Sequence, residues 1–231
     1  MTTEQNKIIF LSDTRLSFPH LIEPQRTIDE KTGKERISYN CELIMPNDHP
    51  GFAAFWKRYS ELAIENAKDH AQQCMAMIQS DRKSRCYGQG EEKVNKKTFQ
   101  PYDGYAGNVY ITAGRDTPPQ IIQADGTPID PNNTMAYQQL TRKMYGGCRV
   151  NVAIKPWWQK PNSAKQYGHG IRCDLVAVQF LRDDVPFGEG TVDASGMFGT
   201  VITSPTTAPQ ASNMPAVPFT PAGLPPFLQG N

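Results

Sequence analysis

The sequence predicts a mainly β protein: an OB-fold-like small β-barrel with one long inserted helix and a disordered Pro-rich C-terminal tail. Three observations carry this. Apolar residues alternate with polar ones in five or six separate stretches, the pattern of half-buried strands. One stretch, residues 52–78, instead repeats its apolar residues at helical spacing, with no Pro or Gly inside it. The 18 Gly and 19 Pro among 231 residues fall largely between these stretches or towards the C-terminus, where they make turns or prevent regular structure.

Residues 7–12 read as a first strand, followed by a short extended piece at 16–18 that Pro19 and Pro24 interrupt. The charged run 29–36, with Gly33 at its tip, is a hairpin-type turn. Tyr39, Cys41, Leu43 and Met45 alternate with Ser38, Asn40 and Glu42, giving a half-buried strand that ends at Pro46. In the helix, Phe52, Phe55, Trp56, Tyr59, Leu62, Ala63, Ala67, Ala71, Cys74 and Ile78 form one apolar stripe, and Asn47 or Asp48 is placed to cap it. Such a stripe is a packing face, so Trp56 is assigned to the core.

Residues 81–98 are polar and basic and read as a flexible loop. Their Gly88-Gln-Gly90 lacks the Gly-Lys-Ser/Thr ending of a phosphate loop. Tyr102-Asp-Gly-Tyr105 is a tight turn leading to a strand at 108–113, with Val109 and Ile111 on one face and Tyr110 on the other. A short strand follows at 120–124 and a short helix at 134–145. In the strand 149–155, Val150, Val152 and Ile154 alternate with Arg149, Asn151 and Lys155. Pro156 is expected to break its ladder, with Trp157-Trp158 opening a loop that runs to Gly170. The last strand, 170–181, is apolar on both faces, as a strand wrapped in a barrel is. Short strands closing on themselves beside one helix are what an OB-fold looks like from sequence. The paired helices and aromatic strings of an RRM are missing.

Charge is segregated along the chain. Residues 1–182 hold all 24 Lys and Arg against 19 acids, a balance of +5, while 183–231 hold four acids and no cation. Residues 194–231 carry no charge and are punctuated by proline, so 191–231 are read as a flexible tail beyond a folded domain spanning 1–190. No apolar run is long enough to span a bilayer, and the first residues lack the features of a signal peptide. Five widely spaced cysteines, without a C-x-x-C pair, point to reduced, mostly buried thiols. His70 and Cys74, one helical turn apart, lack a second ligand pair for zinc, and no cofactor is expected.

The stretch from Pro131 to Cys173 holds seven cations and neither Asp nor Glu. Aromatic residues are interleaved with them. Cations neutralise phosphates and aromatic rings offer stacking faces to unpaired bases, so this pattern suits a single-stranded nucleic acid. Candidate phosphate contacts are Lys143, Arg149, Lys155, Lys160, Lys165 and Arg172. Period-two continuation past Ile154 turns Trp157 outward with Lys155 and Trp158 inward, which makes Trp157 the first candidate stacking platform. Tyr145 and Tyr167 follow it, then Tyr102, Tyr105 and Tyr110. Two other classes fit the sequence less well. A nuclease using Asp183-Asp184 lacks a supporting acid, and a virion or assembly protein leaves the acid-free basic stretch unexplained.

Seven motifs follow one another along the chain: Leu16-Ser-Phe-Pro19, Tyr39-Asn-Cys-Glu-Leu43, Asp103-Gly-Tyr105, Tyr145-Gly-Gly-Cys-Arg-Val-Asn-Val-Ala-Ile154, Gly168-His-Gly-Ile171, Leu175-Val-Ala-Val-Gln179 and Phe187-Gly188. Over residues 8–190 this series resembles a family of phage single-stranded-DNA-binding proteins long catalogued as a domain of unknown function. The resemblance implies an OB-fold that coats single-stranded DNA without sequence preference during phage replication and recombination, in the cytoplasm of an infected bacterium. The chain is more distantly similar to the single-stranded-DNA-binding protein of T7-like phages, whose acidic C-terminal tail contacts polymerase. Here the sequence departs, because its acids lie at Asp183, Asp184, Glu189 and Asp193 and residues 224–231 are uncharged. The partners implied are single-stranded DNA, replication or recombination proteins met through the tail, and further copies of the chain along DNA, with no membrane.

Overall fold

The computed structural model describes residues 7–28, 33–130, 132–163 and 168–188. Seven strands form one sheet: β1 (Ile9–Ile28), β2 (Glu35–Pro46), β3 (Tyr87–Gln89), β4 (Asn108–Arg115), β5 (Gln120–Ile122), β6 (Arg149–Gln159) and β7 (Gly170–Arg182), in the order β3-β4-β2-β1-β6-β7-β5. All neighbours are antiparallel except β5, which pairs with β7 in parallel. The segment before β3 joins the two ends of the curl. Ile171 N–H donates to the Ser84 carbonyl at 2.8 Å, and Thr112 N–H donates to the Cys86 carbonyl at 2.7 Å. The sheet thereby closes into the expected small OB-fold-like barrel.

The first two extended pieces are one strand. β1 runs through Pro19 and Pro24 because its register against β2 shifts between Ser17 and His20 and again between His20 and Gln25. Prolines are tolerated at such bulges, where a ladder bond is already missing. Beyond Arg15 β1 has lost β6, and before Tyr39 β2 has no β4 beside it. Leu16 is bonded instead to Gly147 and Cys148, the Leu21 carbonyl accepts from the Tyr137 hydroxyl at 3.1 Å, and the two strands stay paired as far as Ile28 opposite Glu35.

The long helix is two helices, α1 (Pro50–Ala67) and α2 (Ala71–Ser80), separated by a 3-10 turn at Lys68–His70. Lys68, at φ 46° and ψ −119°, makes the break with neither Pro nor Gly. A straight helix over residues 52–78 would be about 40 Å long, more than a small barrel can cover. The bend returns Ala71, Cys74 and Ile78 to the core already lined by Phe55, Tyr59, Leu62 and Ala63. Tyr59 fixes the bend by donating its hydroxyl to the Met75 carbonyl at 3.2 Å. The N-cap is His49, not Asn47 or Asp48. Its Nδ1 accepts from Gly51 N–H at 3.0 Å while its Nε2 meets the Ser12 carbonyl at 2.8 Å, so one imidazole pins α1 to β1. Trp56 lies at the edge of the stripe and is 36% exposed, a correction to its core assignment.

Residues 81–98 are more ordered than their polarity suggests. They hold β3 and a 3-10 turn, and the glycines explain why. A Cβ on Gly88 would sit 2.6 Å from the Tyr110 hydroxyl, and one on Gly90 would sit 1.7 Å from the Tyr105 carbonyl. Glycine lets this backbone lie against β4 at Gly88 and against the turn before β4 at Gly90. The ladder of β6 also continues through Pro156, opposite Cys173, as far as Gln159 opposite Gly170. Past Ile154 β6 has no β1 partner, and proline is tolerated on a strand with one free side. The alternation is as expected, with Val150, Val152, Ile154 and Trp158 buried beneath Asn151, Lys155 and Trp157. Helix α3 (Thr134–Thr141) is capped by Asn133, whose side chain accepts from Ala136 N–H at 3.2 Å. All five cysteines are buried and unpaired, and burial holds the Cys148 thiol up at about 12.

Candidate nucleic-acid interface

A groove of about 760 Å³ opens on the barrel wall. Ser38, Asn40 and Glu42 line it because residues two apart on β2 share a face, and Thr112 and Gly114 of β4 lie opposite Glu42 and Asn40. Trp157 and Gln159 of β6 and Arg172 of β7 make one wall. Arg85 and Cys86, from the segment that closes the barrel, meet Cys173 between them. Phe18, on the β1 bulge, stands at the other side with Lys93 and Tyr102.

The electrostatics are one-sided. Arg36, Arg85, Lys93 and Arg172 line the groove against a single acid, Glu42. That acid is 8% exposed and internally satisfied, since Lys93 Nζ bonds one carboxylate oxygen and the Tyr105 hydroxyl donates to the other. Burial first, and then the Glu42 charge, push the Tyr105 phenol well above its ordinary range, so it stays a donor. Arg172 is oriented by the Lys83 carbonyl at 2.8 Å and Gln159 Oε1 at 3.0 Å. Lys93 is engaged by Glu42 and Arg85 by Glu92 at 2.7 Å, so an entering anion meets Arg36 and Arg172 as the remaining lining cations.

Aromatic faces flank these charges. Trp157 is 39% exposed, and its Nε1–H donates to Asp174 at 2.7 Å, which fixes the ring across β6 and β7. Trp158, at 7%, faces inward and donates to His169 Nδ1 at 3.0 Å. Phe18 is 44% exposed and meets Tyr102 edge-on at 5.3 Å between ring centres.

Of the residues singled out in the sequence, Trp157, Arg172 and Tyr102 line this groove. Lys155 shares the outward face of β6 with Trp157, and Lys160 is exposed just past Gln159. Others lie elsewhere. Tyr105 is fully buried and Tyr110 is 5% exposed, so neither offers a ring face to a base. Lys143 follows α3 and borders a separate cavity with Ile129 and Leu140. Lys165 and Tyr167 lie outside the described residues.

Arg149 and Tyr145 hold down residues 183–188 instead of facing the groove. Arg149 Nε donates to Asp184 at 2.6 Å, and the Tyr145 hydroxyl donates to the Asp184 carbonyl at 2.8 Å. Arg15 joins them through the Val185 carbonyl at 2.5 Å and stacks on the Phe187 ring at 4.2 Å. The hydrogen bond from Arg149 pulls the Asp184 carboxyl below its ordinary range. Among the described residues no group of three or more His, Cys, Asp or Glu is placed to hold a metal ion, and no helix is long and apolar enough to cross a membrane.

The groove residues that the sequence reading missed are Phe18, Arg36, Arg85 and Lys93. Phe18 stood within the Leu16-Ser-Phe-Pro19 motif, and the three cations lay in stretches read as a turn and a loop.

Comparison with known proteins agrees with this architecture. The family model of the Enterobacter phage Enc34 ssDNA-binding protein matches residues 6–207. Protein p50 of Acyrthosiphon pisum secondary endosymbiont phage 1 is 25% identical over 186 residues, covering 80% of this chain and 88% of that protein. The solved single-stranded DNA-binding protein from bacteriophage Enc34 in complex with ssDNA superposes with a TM-score of 0.58 at 24% identity, covering 80% of this chain and 91% of that one. The same phage protein in a second structure gives 0.57 at 24% identity, covering 85% and 96%. At these identities the superpositions speak for the fold. The family match spans most of the sequence, and the chain belongs to the Enterobacter phage Enc34 ssDNA-binding protein family.

Proposed function

We propose that this chain binds single-stranded DNA without sequence preference and coats it during phage DNA replication and recombination. One observation carries the reading: a groove on an OB barrel lined by four cations, two of them engaged by Glu42 and Glu92, with exposed aromatic faces at both sides. Arg36, Lys93, Arg172, Lys155 and Lys160 supply phosphate contacts, while Trp157, Phe18 and Tyr102 supply stacking surfaces. None of these groups reads a base edge in a fixed pattern, so discrimination among sequences is weak. Family membership supports the same ligand. The chain acts as a binding protein in the cytoplasm of an infected host. Residues 1–190 suffice for DNA, and the remainder serves protein partners.

The test is a fluorescence titration with oligo-dT and with duplex DNA across a range of salt. Affinity for oligo-dT is expected to fall by about 0.7 log units per log unit of salt for each phosphate neutralised, with duplex bound less tightly. A salt-independent affinity, or equal binding of both forms, overturns the reading.

A further inference from the structure

Two thiols stand side by side in the groove, and DNA binding uses neither. They belong to the place where residues 84–86 run beside the start of β7. Ile171 N–H donates to the Ser84 carbonyl at 2.8 Å, and a Cβ on Gly170 would sit 2.9 Å from the same oxygen, so glycine lets the two backbones approach. Two residues further along each segment are Cys86 and Cys173, whose thiols interact. Paired extended backbones lie about 4.8 Å apart, inside the roughly 4.4–6.8 Å between Cα atoms that a disulfide spans.

Both cysteines are unpaired and both line the groove, at 7% and 4% exposed. Cys41 belongs to the same buried cluster, but it is fully buried and does not line the groove. A small neutral oxidant entering there meets two thiols and not the third. Burial first, and then the Cys86 thiol, hold the Cys173 thiol above its ordinary range. Cys173 is therefore slow to attack an oxidant itself and suits a second, intramolecular step, where proximity compensates.

We infer that Cys86 and Cys173 form a peroxide-sensitive dithiol, which closes to a disulfide when the groove is empty and is shielded when single-stranded DNA fills it. The shielding rests on the single-stranded DNA reading above, whereas the pairing of the thiols stands apart from it. In the first step the Cys86 sulfur attacks one oxygen of hydrogen peroxide and the O–O bond breaks. The thiol proton leaves with the other oxygen as water, and Cys86 becomes a sulfenic acid. The Cys173 sulfur then attacks the Cys86 sulfur, the S–O bond breaks, and a second water departs with the Cys173 proton. Two thiols and one peroxide thus give one disulfide and two waters. Arg85 and Arg172 each precede one of the cysteines and line the groove, so a strand contacting both arginines covers the thiols. The bridge ties the barrel wall where β4 and β7 share no ladder.

The test exposes the full chain to hydrogen peroxide with and without dT20, blocks the remaining thiols, and maps tryptic peptides by mass spectrometry. Trypsin cuts after Arg85, Lys93, Arg172 and Arg182, so the bridge joins peptides 86–93 and 173–182, which hold no other cysteine. The free chain is expected to yield this joined pair, which dithiothreitol separates. With dT20 at ten times its Kd, formation is expected to slow about tenfold, since only the unoccupied fraction reacts. Cys86→Ala is expected to leave Cys173 unbridged, and if that variant does not fold, the mapping of the unaltered chain decides alone. Peroxide that leaves the two peptides unjoined, or joins either to another cysteine, refutes the pair. An unchanged rate in the presence of dT20 that a titration shows to be bound refutes the shielding. Should the titration show no binding of dT20, the DNA reading and the shielding fall together, and the mapping still decides the pair.

Discussion

Adjacent tryptophans on β6 give a direct measure of the division between groove and core. Trp158→Ala removes a side chain that is 93% buried, since 7% is exposed, and orphans the His169 nitrogen it donates to. Emptying such a site costs about 3–5 kcal/mol of stability. For a chain of this size about 1 kcal/mol lowers Tm by about 2–4 °C, so Trp158→Ala is expected to melt about 6–20 °C early. Trp157→Ala removes a ring that is 39% exposed and one surface hydrogen bond to Asp174. Its stability cost is about 1 kcal/mol, a shift of a few degrees. Its binding cost is one base stack, about 1–3 kcal/mol, or about 5- to 150-fold in Kd. Thermal melts and oligo-dT titrations of both variants, with affinity normalised to the folded fraction, separate the two costs. If Trp157→Ala melts as early as Trp158→Ala and binds DNA normally per folded molecule, the stacking assignment is wrong.

Two further predictions concern ion pairs. Glu42→Ala leaves the Lys93 ammonium and the Tyr105 hydroxyl without their shared acceptor in a largely buried site, so urea denaturation is expected to show a loss of about 3 kcal/mol. An unchanged midpoint would mean that the pair is solvated. Asp184 has its pKa depressed in the folded chain, chiefly by the hydrogen bond from Arg149. Its contribution is therefore complete above the carboxylate value of the unfolded chain, about 3.9, and is lost as pH falls through the lower folded value. Hydrogen exchange is expected to show the Phe187 amide, which donates to the Gly146 carbonyl at 2.9 Å, losing protection in acid and in Asp184→Asn at neutral pH. Protection that persists in both conditions would show that Arg15 and Tyr145 alone hold the segment.

How far the sequence could be read depended on the range of the interaction. The alternation in β6 is local, so Trp157 outward and Trp158 inward followed from spacing alone, and the separation of Val109 and Ile111 from Tyr110 on β4 followed likewise. The break at Lys68 did not, because nothing in its neighbours disfavours helix. It is imposed by a barrel too short for the full stripe. Gly88 and Gly90 looked like loop residues until Tyr110 and the Tyr105 backbone were seen against them. Arg149 and Tyr145 were misplaced for the same reason. Their partner, Asp184, is 35 and 39 residues away, and a count of cations cannot tell which ones an acid returns to neutralise. Lys93 and Phe18 were missed because they share the groove only after the barrel closes.

The closure of the barrel has a mechanical consequence. Every other neighbour in the sheet is joined by a ladder, but β4 and β7 meet through the Ser84 and Cys86 carbonyls. Arg85 sits between those two carbonyls and Arg172 stands beside them on β7, both lining the groove. On the single-stranded DNA reading proposed above, a polyanion contacting both arginines would span that seam and act as an external clasp on it. Strand separation would have to begin by releasing the ligand, so occupancy stabilises the whole barrel by linkage. A chain spread along DNA would then be most resistant to unfolding where it is most densely loaded.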